Sequence, residues 1–265
     1  LIVLPYSWWY FDPLAVFCVL LGLSLALERR WAAAGAAAAL GIAIKFFPGL
    51  VLLAAWRRAS WKQLFWMSVI SISPILLLFG GLWWASPAYT SASLRAQVSK
   101  GSWETIWAIL DGNIHTGIFG PFAERLDPAT ATIARGNPAV IPPLASLLVF
   151  GGLGLAGLLR IRSQDEFHVI PLVGFAWTLF LLWSPGWSPQ WVLYLLPLVL
   201  LTLPVRQALL FGTVLILVNL LEWPVLLSRG YFSLLWIPIV MRTLVLVILC
   251  LAWAGMLFAR QPGER

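Results

Sequence analysis

Eight apolar stretches, most of them close to 20 residues long and nearly free of charge, divide this 265-residue chain and dictate its fold class. They cover 63–85, 139–159, 167–184, 187–205, 207–228 and 233–259, with a shorter run at 13–27 and a longer one at 31–56. A hydrocarbon core about 30 Å thick is crossed by about 20 helical residues, which leaves room for roughly seven to nine membrane-embedded helices. The residues are 61% hydrophobic and 10% charged, with a mean hydropathy of +0.91, whereas a globular domain carries roughly 25% charged residues. A soluble domain is thereby excluded. The expected fold is all-α: a polytopic transmembrane helix bundle forming one domain over 1–265, with 86–138 as an extracytoplasmic loop within it.

The chain opens Leu1-Ile2-Val3-Leu4, without an initiator Met, a basic leader or a small-residue cleavage site, and reads as a piece of a longer protein. Cys18 and Cys250 both lie inside apolar runs, so no disulfide framework or redox pair is expected from them. The net charge of +7 does not indicate nucleic acid, because the basic residues sit in ones, twos and threes at the ends of apolar runs. That placement is topological information. It assigns Arg29-Arg30, Arg57-Arg58-Lys62, Arg160-Arg162, Arg206 and Arg260-Arg265 to the cytoplasm. Loops 86–138 and 184–189 and the turn at Arg229 then face outward. In the long loop Arg95, Lys100, Arg125 and Arg135 balance Glu104, Asp111, Glu124 and Asp127.

One run resists a single crossing. Arg30 and Arg57 both belong on the cytoplasmic side yet bracket 31–56, which is interrupted at Lys45-Phe46-Phe47-Pro48. Pro48 lacks an N–H and disfavours helical backbone at Phe47. Two readings stand: a broken or re-entrant hairpin with Lys45 at its apex and a cavity beside it, or one tilted helix with basic residues at both ends.

An ionised side chain at mid-bilayer costs roughly 2.5–3.5 kcal/mol even on lenient scales, so each needs a reason. Lys45 and Arg242 are two. Arg242 lies eighteen residues before Arg260 and Glu222 sixteen after Arg206, about 27 and 24 Å at helical rise. Asp12, Gln190, Glu222, Arg229 and Arg242 thus converge toward one side. Ordinary structural accounts exist for some: Asp12-Pro13 makes a good helix N-cap, and Glu222 can pair with Arg229 or Arg242. Taken together, cations beside one lipid-accessible cavity suit an amphipathic anion such as a lipid-linked phosphate. His115 is the only histidine of the outer loop and has no second ligand for a metal. His168 sits near a helix end. No phosphate loop, nucleophile elbow or metal-ligand cluster is present, and no metal site is assigned.

Tyr10-Phe11-Asp12-Pro13-Leu14, then Arg29-Arg30-Trp31, then Gly41-Ile42-Ala43-Ile44-Lys45-Phe46-Phe47-Pro48 resemble the D-P-L and G-x-x-x-K-x-x-P signature of GT-C glycosyltransferases, above all glycosyltransferase family 87 and, more distantly, the PIG-M mannosyltransferases. Trp183-Ser184-Pro185-Gly186-Trp187-Ser188-Pro189-Gln190-Trp191 leading to Leu195-Leu196-Pro197-Leu198 resembles the same family's S-P-Q-[YW] … L-P-L segment. Trp103 to Trp107 and Asp111-Gly112-Asn113 also resemble bacterial members.

The resemblance implies a multi-pass plasma-membrane (inner-membrane) enzyme. It would transfer a hexose, mannose or similar, from a polyprenyl-phosphate-sugar donor to a glycan or glycolipid acceptor on the extracytoplasmic side, with no cofactor assigned. It places the catalytic carboxylate in the first outer loop, upstream of Leu1, with Asp12 a candidate here for that base or for orienting a sugar hydroxyl. By the same analogy Lys45 contacts the donor phosphate, Gln190 the sugar or phosphate, and Arg242 or Arg229 neutralises the leaving phosphate. Trp183, Trp187 and Trp191 belong either to an interfacial belt or to a sugar-stacking platform. The rival functions are a transporter or flippase of lipid-linked sugars and a non-catalytic scaffold whose charges pair with partner helices.

Overall fold

The structure, a computed structural model, describes residues 11–115, 121–133, 135–161 and 166–258. Tyr10, Arg162, Arg260 and Arg265 of the sequence reading lie outside them. The described residues are mostly helical, with no strand among them, and five of the helices are long and apolar enough to cross a membrane.

Two short antiparallel helices open the fold: α1 (Asp12–Leu27) and α2 (Trp31–Ile44), followed by a 3₁₀ helix, Phe47–Ala55. The turn after α1 is a Schellman cap. Arg29 is left-handed (φ 58°), its N–H reaches Ala26 O at 3.0 Å, and the Arg30 N–H reaches Leu25 O at 2.8 Å. The run 31–56 is broken, as the first of its two readings expects. Lys45 ends α2 in extended backbone (φ −151°, ψ 149°) and the 3₁₀ helix returns against α2. The return brings Arg58 back to the start of the hairpin, where it donates to Ala26 O (3.5 Å) and lies 6.0 Å over the Trp31 ring. Fourteen residues of α2 rise about 21 Å and nine 3₁₀ residues about 18 Å. Both arms therefore stop short of a 30 Å core.

Gly41 makes this hairpin possible. A Cβ there would lie 2.5 Å from Pro48 Cβ and 2.9 Å from Cys18 Cβ, so only glycine lets α1, α2 and the returning segment meet. The G-x-x-x-K-x-x-P spacing now has a physical content. Gly41 and Lys45 are one helical turn apart on the α1-facing side, and Pro48 folds the chain back across Gly41.

Beyond the hairpin, α3 (Trp61–Ala85) starts with a Ser60/Gln63 capping box. Loop 86–138 carries α4 (Pro87–Val98), α5 (Ile106–Asp111) and α6 (Phe122–Leu126). Helices α7 (Pro143–Arg160) and α8 (Glu166–Trp183) follow, then a 3₁₀ turn at Pro189–Trp191, α9 (Val192–Thr202), α10 (Val205–Leu220) and α11 (Trp236–Phe258). Only 11% of positions in the α3 and α7 windows are buried against 56% in α8, so α3 and α7 lie on the outside of the described bundle and α8 is its axis. Gly174 of α8 receives the Trp253 indole of α11, 2.6 Å from where a Cβ would sit.

The two ends of the bundle carry different residues. Trp56 donates to Leu158 O, Arg58 pairs with Glu166 and Arg160 lies over Phe258, all at one end. At the other, loop 86–138 joins the 184–189 turn through a parallel bridge, Trp103↔Gly186. Two runs depart from uniform helix. The 187–205 run begins as a turn because Pro185 and Pro189 cannot donate, and 207–228 closes in a π-helical stretch, Leu221–Leu227, containing Pro224.

Candidate functional site

The structure brings the charged residues singled out in the sequence into two pairs. In the first, Lys45 Nζ donates to both oxygens of Asp12, at 2.8 and 2.9 Å. Asp12 is wholly buried while the Lys45 side chain keeps 27% of its surface. Asp12 is not an N-cap: Phe11 holds that position, Asp12 is the first helical residue, and its carboxylate is spent on lysine rather than on the α1 backbone. The antiparallel packing explains the meeting. Gly41 contacts Cys18, so Lys45, one turn further along α2, lies beside the α1 N-terminus, where the helix dipole favours the Asp12 charge. The Tyr194 hydroxyl of α9 approaches the same carboxylate without a hydrogen bond of its own among the described residues.

In the second pair Arg242 of α11 donates to Glu222 on the π-helical stretch and also to the backbone oxygen of Glu104. Its guanidinium lies 4.2 Å over the Trp187 ring. Glu222 and Arg242 are both sealed, at 0% and 3% exposure. The Trp187 indole also lies next to Glu222 without a hydrogen bond to it. Of the two pairings open to Glu222, Arg242 is thus the one made. Arg229 sits apart on an exposed turn, with no ion pair among the described residues.

An aromatic relay joins the pairs. Phe47, two residues past Lys45, packs edge-on against Trp177, Phe180, Trp191 and Tyr194 at 4.6–5.8 Å. Trp191 reaches Trp187 at 5.8 Å, and Trp187 carries Arg242. Gln190 is buried in the 3₁₀ turn between these two tryptophans. The belt reading therefore fails for Trp187, which is 2% exposed and packed in the core. Trp183 binds Pro143 O and is held by α7.

Three features escaped the sequence reading. Glu104 is fully buried with φ 51°, a backbone region that costs an ordinary L-residue about 1–2 kcal/mol. Its backbone is pinned from both sides: the N–H donates to Ile114 O and the carbonyl accepts from Arg242. No sequence signal marks a left-handed glutamate. Gly186 was the available signal for the second feature, since its missing Cβ admits the Trp103 ring at 2.2 Å. The third is Asp111, which ties the loop together by accepting from Ser102 (2.6 Å) and the Val140 N–H (2.7 Å). His115 stacks on Phe232 at 4.2 Å. No group of three metal-ligating side chains occurs among the described residues.

The site thus comprises a partly exposed lysine balanced by a sealed aspartate, an aromatic wall, and a second, closed ion pair that joins the loop to the helices. The family model for glycosyltransferase family 87 matches residues 10–185, a span that includes Asp12, Lys45 and Trp103 to Asn113. No curated protein and no solved structure matches the chain.

Proposed function

The chain belongs to glycosyltransferase family 87, and from that premise we propose that it transfers a hexose, such as mannose, from a polyprenyl-phosphate-sugar donor to an acceptor on the extracytoplasmic side of the plasma membrane. The observation that carries this reading is the Asp12–Lys45 pair at the apex of the broken hairpin. A lipid-linked phosphate needs a cation at membrane depth that it can reach laterally, and Lys45 is partly exposed there. Asp12 holds that ammonium in place while the site is empty; the incoming phosphate adds to the ammonium's remaining donor capacity.

In the transfer step an acceptor hydroxyl attacks the anomeric carbon and a carboxylate base takes its proton. The bond from that carbon to the phosphate oxygen breaks, and polyprenyl phosphate departs with the electron pair. Lys45 stabilises the charge gathering on the departing phosphate. Asp12, with both oxygens on Lys45, acts as the orienter of that lysine. Gln190, beside Trp191, contacts the sugar or phosphate. Arg242, already balanced by Glu222, works by fixing Trp187 and the backbone at Glu104 above the hairpin, and Arg229 remains available to the leaving phosphate from its exposed turn.

The test is transfer in liposomes supplied with radiolabelled polyprenyl-phosphate mannose. Lys45→Ala should lower transfer about a hundredfold, the scale of losing one stabiliser of developing charge. The neutral double variant Asp12→Asn/Lys45→Gln removes both charges without orphaning either, and it too should be inactive though folded. Full activity in that variant refutes the assignment. Labelled lipid that changes leaflet without any sugar transfer would move the reading to a flippase.

A further inference from the structure

Away from both charge pairs, loop 86–138 encloses a cavity of 360 Å³ between α4 and α6. That volume lies within the roughly 300–1,000 Å³ range of small-molecule sites. Three cations line it, Lys100, Arg125 and Arg135, against a single acid, Glu124. Glu124 is already paired with Arg135. Lys100 is different: its ammonium donates to the neutral Gln97 Oε1 at 3.1 Å, and no carboxylate among the described residues pairs with it. Burial in the cavity wall pushes its pKa below the ordinary lysine value, so a bound anion would relieve an existing cost.

The rest of the lining mixes small and aliphatic side chains with two aromatic residues, Tyr89 and Trp103, and three hydroxyl residues, Ser93, Ser102 and Thr130. Ser102 already donates to Asp111 and Thr130 to the Glu124 carbonyl, so these two meet a ligand as acceptors. Aromatic faces take the C–H side of a sugar ring, and hydroxyl and amide groups answer its O–H groups. Position argues the same way. Trp103 forms a wall of the cavity, its ring rests on Gly186, and the next residue, Glu104, gives its carbonyl to Arg242. The cavity thus adjoins the closed ion pair above the hairpin, on the loop end of the bundle.

We propose that this cavity binds an anionic saccharide, a glycan bearing a carboxylate or a phosphate, as the acceptor of the transfer. The acceptor role rests on the glycosyltransferase reading; the binding of an anionic sugar does not. The glycan lies with its charged group on Lys100 and a ring against Tyr89.

Saturation-transfer NMR and calorimetry on the intact protein in neutral phosphatidylcholine nanodiscs test this, with glucuronic acid, glucose 6-phosphate, glucose and inorganic phosphate as probes. The two sugar acids should bind, the stronger of them telling carboxylate from phosphate. Glucose and inorganic phosphate should each bind about tenfold more weakly or less. Lys100→Gln and Tyr89→Ala should each reduce sugar-acid binding about tenfold, and Lys45→Ala should leave it unchanged. Glucose binding as well as its acids, inorganic phosphate binding as well as glucose 6-phosphate, or Lys100→Gln together with Tyr89→Ala having no effect would each overturn the proposal. Sugar-acid binding in a protein that transfers nothing would leave the site standing and refute the transferase reading.

Discussion

Removing the charge of Glu222 while keeping its shape, Glu222→Gln, should be among the most damaging conservative changes in this chain. The carboxylate is wholly buried and receives Arg242, whose own side chain is 4% exposed. Orphaning one member of such a pair costs about 3–5 kcal/mol. Here the lower end applies, because Arg242 would retain the Glu104 carbonyl and the Trp187 ring face, and a desolvated cation–π contact contributes about 2 kcal/mol. Arg242→Met should fall at the upper end, near 5 kcal/mol, since it strands the carboxylate and releases Glu104 as well. The double variant replaces a buried pair by neutral groups and should lose only about 1–2 kcal/mol, the worth of the Glu104 hydrogen bond. The assay is equilibrium unfolding in mixed micelles with increasing SDS, followed by tryptophan fluorescence and analysed as a double-mutant cycle. A coupling of about 6–7 kcal/mol is expected, the two single changes together costing about 8 kcal/mol and the double variant about 1–2 kcal/mol. Single effects that add to within about 0.5 kcal/mol would show that the two side chains do not depend on each other and would refute the reasoning.

Gly41→Ala should destabilise the protein by about 1–3 kcal/mol and lower transfer, because the new Cβ meets Pro48 and Cys18, whose Cβ atoms cannot swing away; thermal unfolding and liposome transfer measure both. Gly186→Ala should unseat the Trp103 ring and weaken sugar-acid binding in the loop cavity, with Trp103→Leu in the same chain restoring the fold but not the binding. Sugar-acid binding should also depend on pH with a definite sign. Burial lowers the Lys100 pKa from 10.5, so its charge, and with it the binding, is lost as pH rises through that lowered value. Calorimetry of Lys100→Arg, whose charge persists, should show a flat profile over the same range.

Much of this fold was legible because a bilayer imposes one length on every crossing and one sign on every cytoplasmic loop. The runs at 63–85, 139–159, 167–184 and 233–259 became α3, α7, α8 and α11 within a few residues. The parity of Arg30 and Arg57 around Pro48 raised a chain reversal as one of two readings, and the chain does break there. Hydropathy could not reveal where helix gives way without losing hydrophobicity: the 3₁₀ return after Lys45 and the π-helical stretch around Glu222 are as apolar as their neighbours. For the same reason it left Trp187 open between an interfacial belt and a sugar-stacking platform, whereas the residue is packed in the core under Arg242. The loop was the least legible part. Its shape depends on Glu104 in a left-handed conformation, on a ring filling the place of a missing Cβ at Gly186 and on Asp111 bonding to residues 29 positions away, none of which leaves a periodic trace.

The cost of charge at membrane depth explains why Lys45 and Arg242 needed partners, but it does not say which pair meets a ligand. Exposure separates them. Arg242 and Glu222 are closed to solvent on both sides, and any anion reaching Arg242 would have to displace Glu222 and break the Glu104 contact first. Lys45 is open by 27% while its aspartate is closed. Under the proposed function that asymmetry would let an incoming phosphate add to the lysine without expelling Asp12. Two ion pairs of similar composition in one bundle therefore carry different work: the sealed one holds the loop to the helices, and the half-open one is where the lipid-linked phosphate is proposed to arrive.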